Sequence, residues 1–207
     1  MRPALLLLAL LGLTGCGVVR SSAGMVPEWT RDWRQVATEA DRTRLRDWRK
    51  AFTDALAAAR KSGHAAEIAR EGALLDPDAA LGGGPIPSGQ YACRVIKLGA
   101  KSAGLLDYVG YPPFVCRVGQ ERDLQGFAKL TGSQRPVGLI FPSDPLRQVF
   151  LGTLMLGDEV RAMQYGNDPD RDVAAFVERI GPARWRMVIP RPAFESRTDV
   201  IELVPTG

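Results

Sequence analysis

The sequence predicts an α+β chain, an N-terminal helical segment followed by an antiparallel β-barrel or sandwich of about eight short strands. Three observations carry this expectation. Apolar residues recur at steps of three and four before residue 81, and at every second position after residue 90. Between the two regimes lies Leu81-Gly82-Gly83-Gly84-Pro85-Ile86-Pro87-Ser88-Gly89, where Gly and Pro exclude both a helix and a central strand. Beyond that run, close turn signals separate one apolar stretch from the next.

Composition sets the outer limits. A chain of 207 residues holds one full domain, or one domain plus a helical attachment, not a multidomain assembly. With 45% hydrophobic and 24% charged residues it is an ordinary globular sequence, which excludes whole-chain disorder. One His and three Cys exclude a His-rich metal protein and a disulfide-dense scaffold. The formal net charge of +4 is made of interspersed signs, so no basic stripe marks a nucleic-acid partner.

Met1-Arg2-Pro3 opens with one positive charge, and Ala4 to Leu13 is an apolar run. That run is too short for a bilayer, which needs ~20 residues, and fits the centre of a secretory signal. Leu13-Thr14-Gly15-Cys16 then resembles the lipobox of bacterial lipoproteins. The resemblance implies that residues 1–15 are a signal peptide and that Cys16 receives the lipid. A plain signal cleaved near Gly15, with Cys16 incidental, is the alternative. Acyl chains on Cys16 would each bury roughly 0.8 kcal/mol per CH₂, making the membrane a partner without a protein span. Gly17 stands where an Asp would resemble an inner-membrane retention signal, so the expected address is the outer membrane, periplasmic face. Residues 16–27, with Ser21-Ser22 and Gly24, read as a short polar tether.

Residues 28–81 read as the helical segment. Trp29 and Trp33 share one face of a first turn. Thr38-Glu39-Ala40-Asp41 is a helix start close to the Ser/Thr-x-x-Glu capping box. Leu45, Trp48, Phe52, Ala55, Leu56 and Ala59 then form one apolar stripe, with Arg42, Arg44, Arg46, Arg49, Lys50 and Arg60 opposite. Lys61 and Gly63 close that helix. A second runs from His64 to about Leu75, with Ala66, Ile68 and Leu75 for packing, and Asp76-Pro77 stops it.

Residues 90–205 read as the β domain, with strands at 90–98, 113–119, 124–131, 136–141, 147–156, 158–165, 172–180, 184–190 and 197–204. The segment 172–180 also fits a helix, because Val173, Phe176, Val177 and Ile180 follow steps of three and four.

Cys93-Arg94-Val95 and Cys116-Arg117-Val118 echo each other, each Cys mid-strand with an aromatic two residues before it. On paired antiparallel strands the two thiols face each other within disulfide reach. With Cys16 acylated outside the cytosol, a Cys93–Cys116 bond is the expectation; reduced core thiols and a redox-active pair are the alternatives.

Other chemistry is thin. Asp168-Pro169-Asp170-Arg171-Asp172 starts like a calcium loop but has Val173 where that loop needs Gly and Arg179 where it needs Glu. His64 stands alone, which excludes multi-His zinc sites, and it reads as a surface residue at a helix start. Neither catalytic residues, nor a metal, nor a cofactor is assigned. Lys129 and Arg135 on a hairpin tip, Tyr165, and Arg186 in the alternation Arg184-Trp185-Arg186 are the ligand-binding candidates. Arginine–carboxylate pairing in the barrel wall is the structural alternative.

Several separate stretches resemble one family: Thr38-Glu39-Ala40-Asp41-Arg42, Glu71-Gly72-Ala73-Leu74-Leu75-Asp76-Pro77, Cys93 through Gly99, Lys129 through Pro136, Phe150-Leu151-Gly152-Thr153 and Pro192-Ala193-Phe194-Glu195-Ser196. They resemble an uncharacterised bacterial envelope family, domain of unknown function 4893, over about residues 29–205. The resemblance implies domain limits and supplies no activity and no catalytic residues. The functional expectation is therefore an exported, lipid-anchored, non-enzymatic binding or scaffold module facing the periplasm. Its partner would be an envelope protein, a glycan or a small amphiphile. The alternative is a periplasmic hydrolase or transferase using carboxylates such as Glu178, Glu195, Asp199 or Glu202.

Overall fold

A computed structural model describes residues 30–207. The expected signal peptide (residues 1–15), the expected tether (residues 16–27), Cys16 and Trp29 lie outside the described residues. Four helices come first: α1 (Trp33–Val36), α2 (Glu39–Arg46), α3 (Trp48–Lys61) and α4 (Ala65–Glu71), the last continuing into a 3-10 turn at Gly72–Leu74. Nine strands follow: β1 (Gly89–Ala100), β2 (Tyr108–Gly110), β3 (Phe114–Glu121), β4 (Leu124–Lys129), β5 (Gln134–Pro142), β6 (Arg147–Leu156), β7 (Asp172–Gly181), β8 (Arg184–Pro190) and β9 (Ser196–Pro205).

The strands make one antiparallel sheet in the order β2-β1-β3-β4-β5-β6-β7-β8-β9, closed by pairing of β1 with β9. Of the two architectures the sequence allowed, it is the barrel. Eight strands form the wall, and β2 continues the line of β3 along β1. Ile96 pairs with Gly110 and Cys93 with Phe114, and the Tyr111 N–H still donates to the Val95 carbonyl between them. Pro112-Pro113 lack the N–H groups that would make this one strand. Asp172–Gly181 is a strand rather than a helix, buried on both faces.

Residues 158–165, expected as a strand, form none. β6 pairs directly with β7, and the connection between them is a loop pinned by other means. Glu159 accepts the Leu156 N–H and pairs with Arg171, while Val160 stays 89% exposed. The alternation there is real, but no sheet edge is left for it to join.

The expected single helix from Thr38 to Lys61 is broken at Asp47, which closes α2 and opens α3. Thr38 does cap α2, its hydroxyl accepting the Asp41 N–H at 3.2 Å. The break divides the apolar stripe between two packing sites. Leu45 joins Trp33, Val149, Leu151 and Phe176, whereas Phe52, Leu56 and Ala59 join Ile96, Leu98, Val188 and Val200. The helices thus cover the outside of the barrel. Each fully buried Leu, Ile or Phe there stabilises by roughly 1.5–3 kcal/mol. Close approach is enforced at Gly99, where a Cβ would lie 3.1 Å from Ala55 Cα and φ is +69°.

The barrel interior has two halves. One end is filled by Tyr91, Phe127, Ile140, Phe150, Trp185 and Leu203. Ile86, from the Gly/Pro run, is fully buried among them, and its carbonyl accepts the Gln125 side-chain amide at 2.5 Å. The expected boundary segment is therefore also the plug of the barrel floor. Cys93 and Cys116 are joined by a disulfide, with Cα atoms 5.8 Å apart. They are not directly opposite: Cys93 is opposite Phe114 and Tyr91 opposite Cys116, so the bond runs diagonally from β1 to β3.

Candidate functional site

The other half of the barrel is hollow. Residues 91, 93, 95 and 97 of β1 share its inner face, so the alternation that buries Cys93 also sends Lys97 inward, nearer the open end. In the same way Phe127 and Lys129 of β4 share a face, as do Ile201 and Asp199 of β9. The result is a cavity of about 140 Å³ at the barrel mouth, with Val95, Phe114, Pro136, Leu154 and Ile201 among its apolar walls. Lys97, Lys129, Gln134, Glu195 and Asp199 supply polar groups, and Asp170 and Asp172 stand on the β7 side.

The two lysines differ. Lys97 Nζ lies 3.1 Å from a carboxylate oxygen of Asp199 and 3.1 Å from one of Glu195, and it donates to Gln134 Oε1 at 3.1 Å. Burial opposes its charge, but Asp199 and Glu195 outweigh that and hold the ammonium above the ordinary lysine value. Burial pushes the Asp199 carboxyl up, against the pull of Lys97 and of the Ser196 hydroxyl that donates to it. Lys129 is only 4% exposed. Its Nζ donates to the carbonyls of Thr131 at 2.8 Å and Gln134 at 2.9 Å, and sits 3.6 Å from the centre of the Phe114 ring. Among the described residues no carboxylate pairs with it. Burial, followed by repulsion from Arg135 and Lys97, pushes its ammonium down to about 8.

The other ligand-binding candidates are not gathered here. Arg186 is 0% exposed and points outward, beneath the helices. Its Nε donates to Glu178 at 2.6 Å and its Nη1 to the carbonyls of Ala73, Leu74 and Asp76; Nη2 alone has no partner. Arg147 reaches the other Glu178 oxygen at 2.7 Å. Tyr165 is also outside the barrel: its hydroxyl donates to Asp41 at 2.5 Å and accepts the Thr38 N–H at 3.1 Å. Burial and then Asp41 hold that phenol above the usual range. Arg135 clamps the 157–159 loop through the carbonyls of Gly157 and Glu159. Of the four candidates only Lys129 lines the cavity.

The carboxylates separate in the same way. Glu178 is held by Arg147 and Arg186, and Glu202 by Arg94 and Arg184, all on the outer face. Of these four candidate carboxylates, Glu195 and Asp199 reach the mouth. Lys97 was missed as a site residue, although its even spacing from Cys93 was the signal for it. His64 precedes α4 and stacks on Tyr108 at 5.4 Å, away from the mouth. Among the described residues no group of three or more His, Cys, Asp or Glu side chains could hold a metal ion.

Residues 33–203 match the model of a family described as a domain of unknown function, DUF4893, and the chain belongs to that family. No curated protein and no solved structure matches it.

Proposed function

We propose that the chain is an exported, lipid-anchored envelope protein, attached through Cys16 at the periplasmic face of the outer membrane, whose barrel mouth binds a small and largely apolar ligand without transforming it. The observation that carries this reading is the half-filled barrel. Eight-stranded barrels have room either for packed side chains or for one small ligand. Here the floor is packed, while the mouth keeps a cavity of about 140 Å³ with apolar walls and a rim of charged residues, among them Lys97, Lys129, Glu195 and Asp199. Export is supported by the Leu13-Thr14-Gly15-Cys16 box and by the Cys93–Cys116 bond, which suits an oxidising compartment.

A second reading, a hydrolase or transferase using paired carboxylates, has one observation in its favour. Asp199 and Glu195 share the mouth, and burial raises the Asp199 carboxyl. Against it, one ammonium, Lys97, already bridges both.

Native mass spectrometry of the protein released gently from envelopes tests both parts. The expected spectrum shows acyl mass on residue 16 and a small co-purified molecule shed on activation. Intact Met1 with a free Cys16 thiol sinks the anchor. An unloaded protein crosslinked to neighbours through its mouth sinks the carriage.

A further inference from the structure

We infer that the ligand is a monoanion, a carboxylate carried on an apolar body about the size of a benzene ring, with its head group at Lys129. The inference rests on the binding reading above and names its chemistry.

The size follows from the cavity: an apolar space of about 150 Å³ is what benzene fills in a protein interior, and the mouth offers about 140 Å³. The charge follows from an imbalance between the two lysines. Lys97 is neutralised by Asp199 and Glu195. Lys129 is held by two carbonyl oxygens and a ring face, none of which carries a full negative charge. Arg135, on the neighbouring strand, adds positive charge to its surroundings. A buried ammonium without a counter-charge is unfavourable, and a carboxylate entering the cavity would remove that imbalance.

The limit to one charge follows from the opposite wall. Asp170, Glu195 and Asp199 line the cavity from the β7 and β9 side, whereas the Asp172 carboxylate lies on the outer face of β7 and accepts the Gly166 N–H. The three lining carboxylates turn an anionic head toward β4 and β5, and would repel a second negative group. Lys129 also has a purely structural reading, as the pin of the 130–133 turn: a Cβ on Gly132 would come within 2.7 Å of its Nζ. That reading predicts no preference between an acid and its alcohol.

Calorimetric titration of the full chain near pH 7 with benzoate, benzyl alcohol and phthalate decides between them. Benzoate is expected to bind at least tenfold more tightly than benzyl alcohol, and phthalate more weakly than benzoate. In Lys129→Met the benzoate advantage is expected to vanish while benzyl alcohol binds as before, which also shows that the variant folds. If that variant does not fold, the wild-type ratio of benzoate to benzyl alcohol decides alone. Equal affinity for the two in the wild type, or an advantage that survives Lys129→Met, overturns the inference and leaves the carriage reading standing. Phthalate binding as tightly as benzoate overturns the single-charge claim. No binding by either benzoate or benzyl alcohol overturns both readings.

Discussion

Arg186 and Lys129 are both buried cations of one barrel, and their surroundings are opposite. Arg186 lies outside the wall, under α3 and the 3-10 turn, with a carboxylate and three carbonyls around it. Lys129 lies inside, at the mouth, with two carbonyls and, among the described residues, no carboxylate. The first arrangement ties the helical layer to β7 and β8 and leaves Glu178 no freedom for anything else. The second leaves a charge uncompensated where the barrel is hollow. A buried charge that meets a carboxylate belongs to the architecture; one left without a counter-charge beside a cavity points to a missing partner.

The comparison breaks most visibly at Glu178. Glu178→Ala leaves Arg186 buried without its counter-charge and is expected to cost about 3–5 kcal/mol, read by urea denaturation. A loss below 1 kcal/mol would show that the carbonyls alone satisfy Arg186. Next in size is the disulfide. Replacing both Cys93 and Cys116 by Ala opens a link across 23 positions and is expected to cost about 3 kcal/mol, with the barrel mouth unchanged.

The smallest effect should fall on Lys129. Lys129→Met is expected to leave stability at pH 7 unchanged within about 1 kcal/mol, or to raise it, since it removes a desolvated charge. The pH dependence sharpens this. The folded chain releases the Lys129 proton near 8, and an unfolded chain near 10.4. Between those values the unfolded state binds more protons, so wild-type stability should climb as pH rises from about 8 to 10. Denaturation midpoints of Lys129→Met should lack that climb. A wild-type curve that falls through this window would place Lys129 in a solvated setting.

Legibility in the sequence followed physical locality. Strand alternation and turn residues located eight of the barrel strands, because period and punctuation are written in neighbouring positions. The three-residue β2 was illegible, being shorter than one full alternation and followed by Pro112-Pro113. The false strand at 158–165 had the right local pattern; only the register of β6 against β7 shows that it has no place in the sheet. The break at Asp47 was hidden for a similar reason, since neither Gly nor Pro marks it and its cause is the pair of apolar sites on the barrel wall. Among site residues, Lys129 was legible as a polar residue on a hairpin, but not as an inward one. Arg186 was legible as a charge alternating with Trp185, and the face it pointed to was not. Period two says that successive side chains part company, and it is silent on which half meets the lumen.

One consequence follows from how β1 is held. It is bonded along both flanks, to β9 on one and to β3 and then β2 on the other. The wall therefore presents no long bare ribbon for another chain to zip onto. The exception is Tyr108–Gly110, a single rung cut short by two prolines. Among the described residues, strand addition by another chain has only that short rung to begin on.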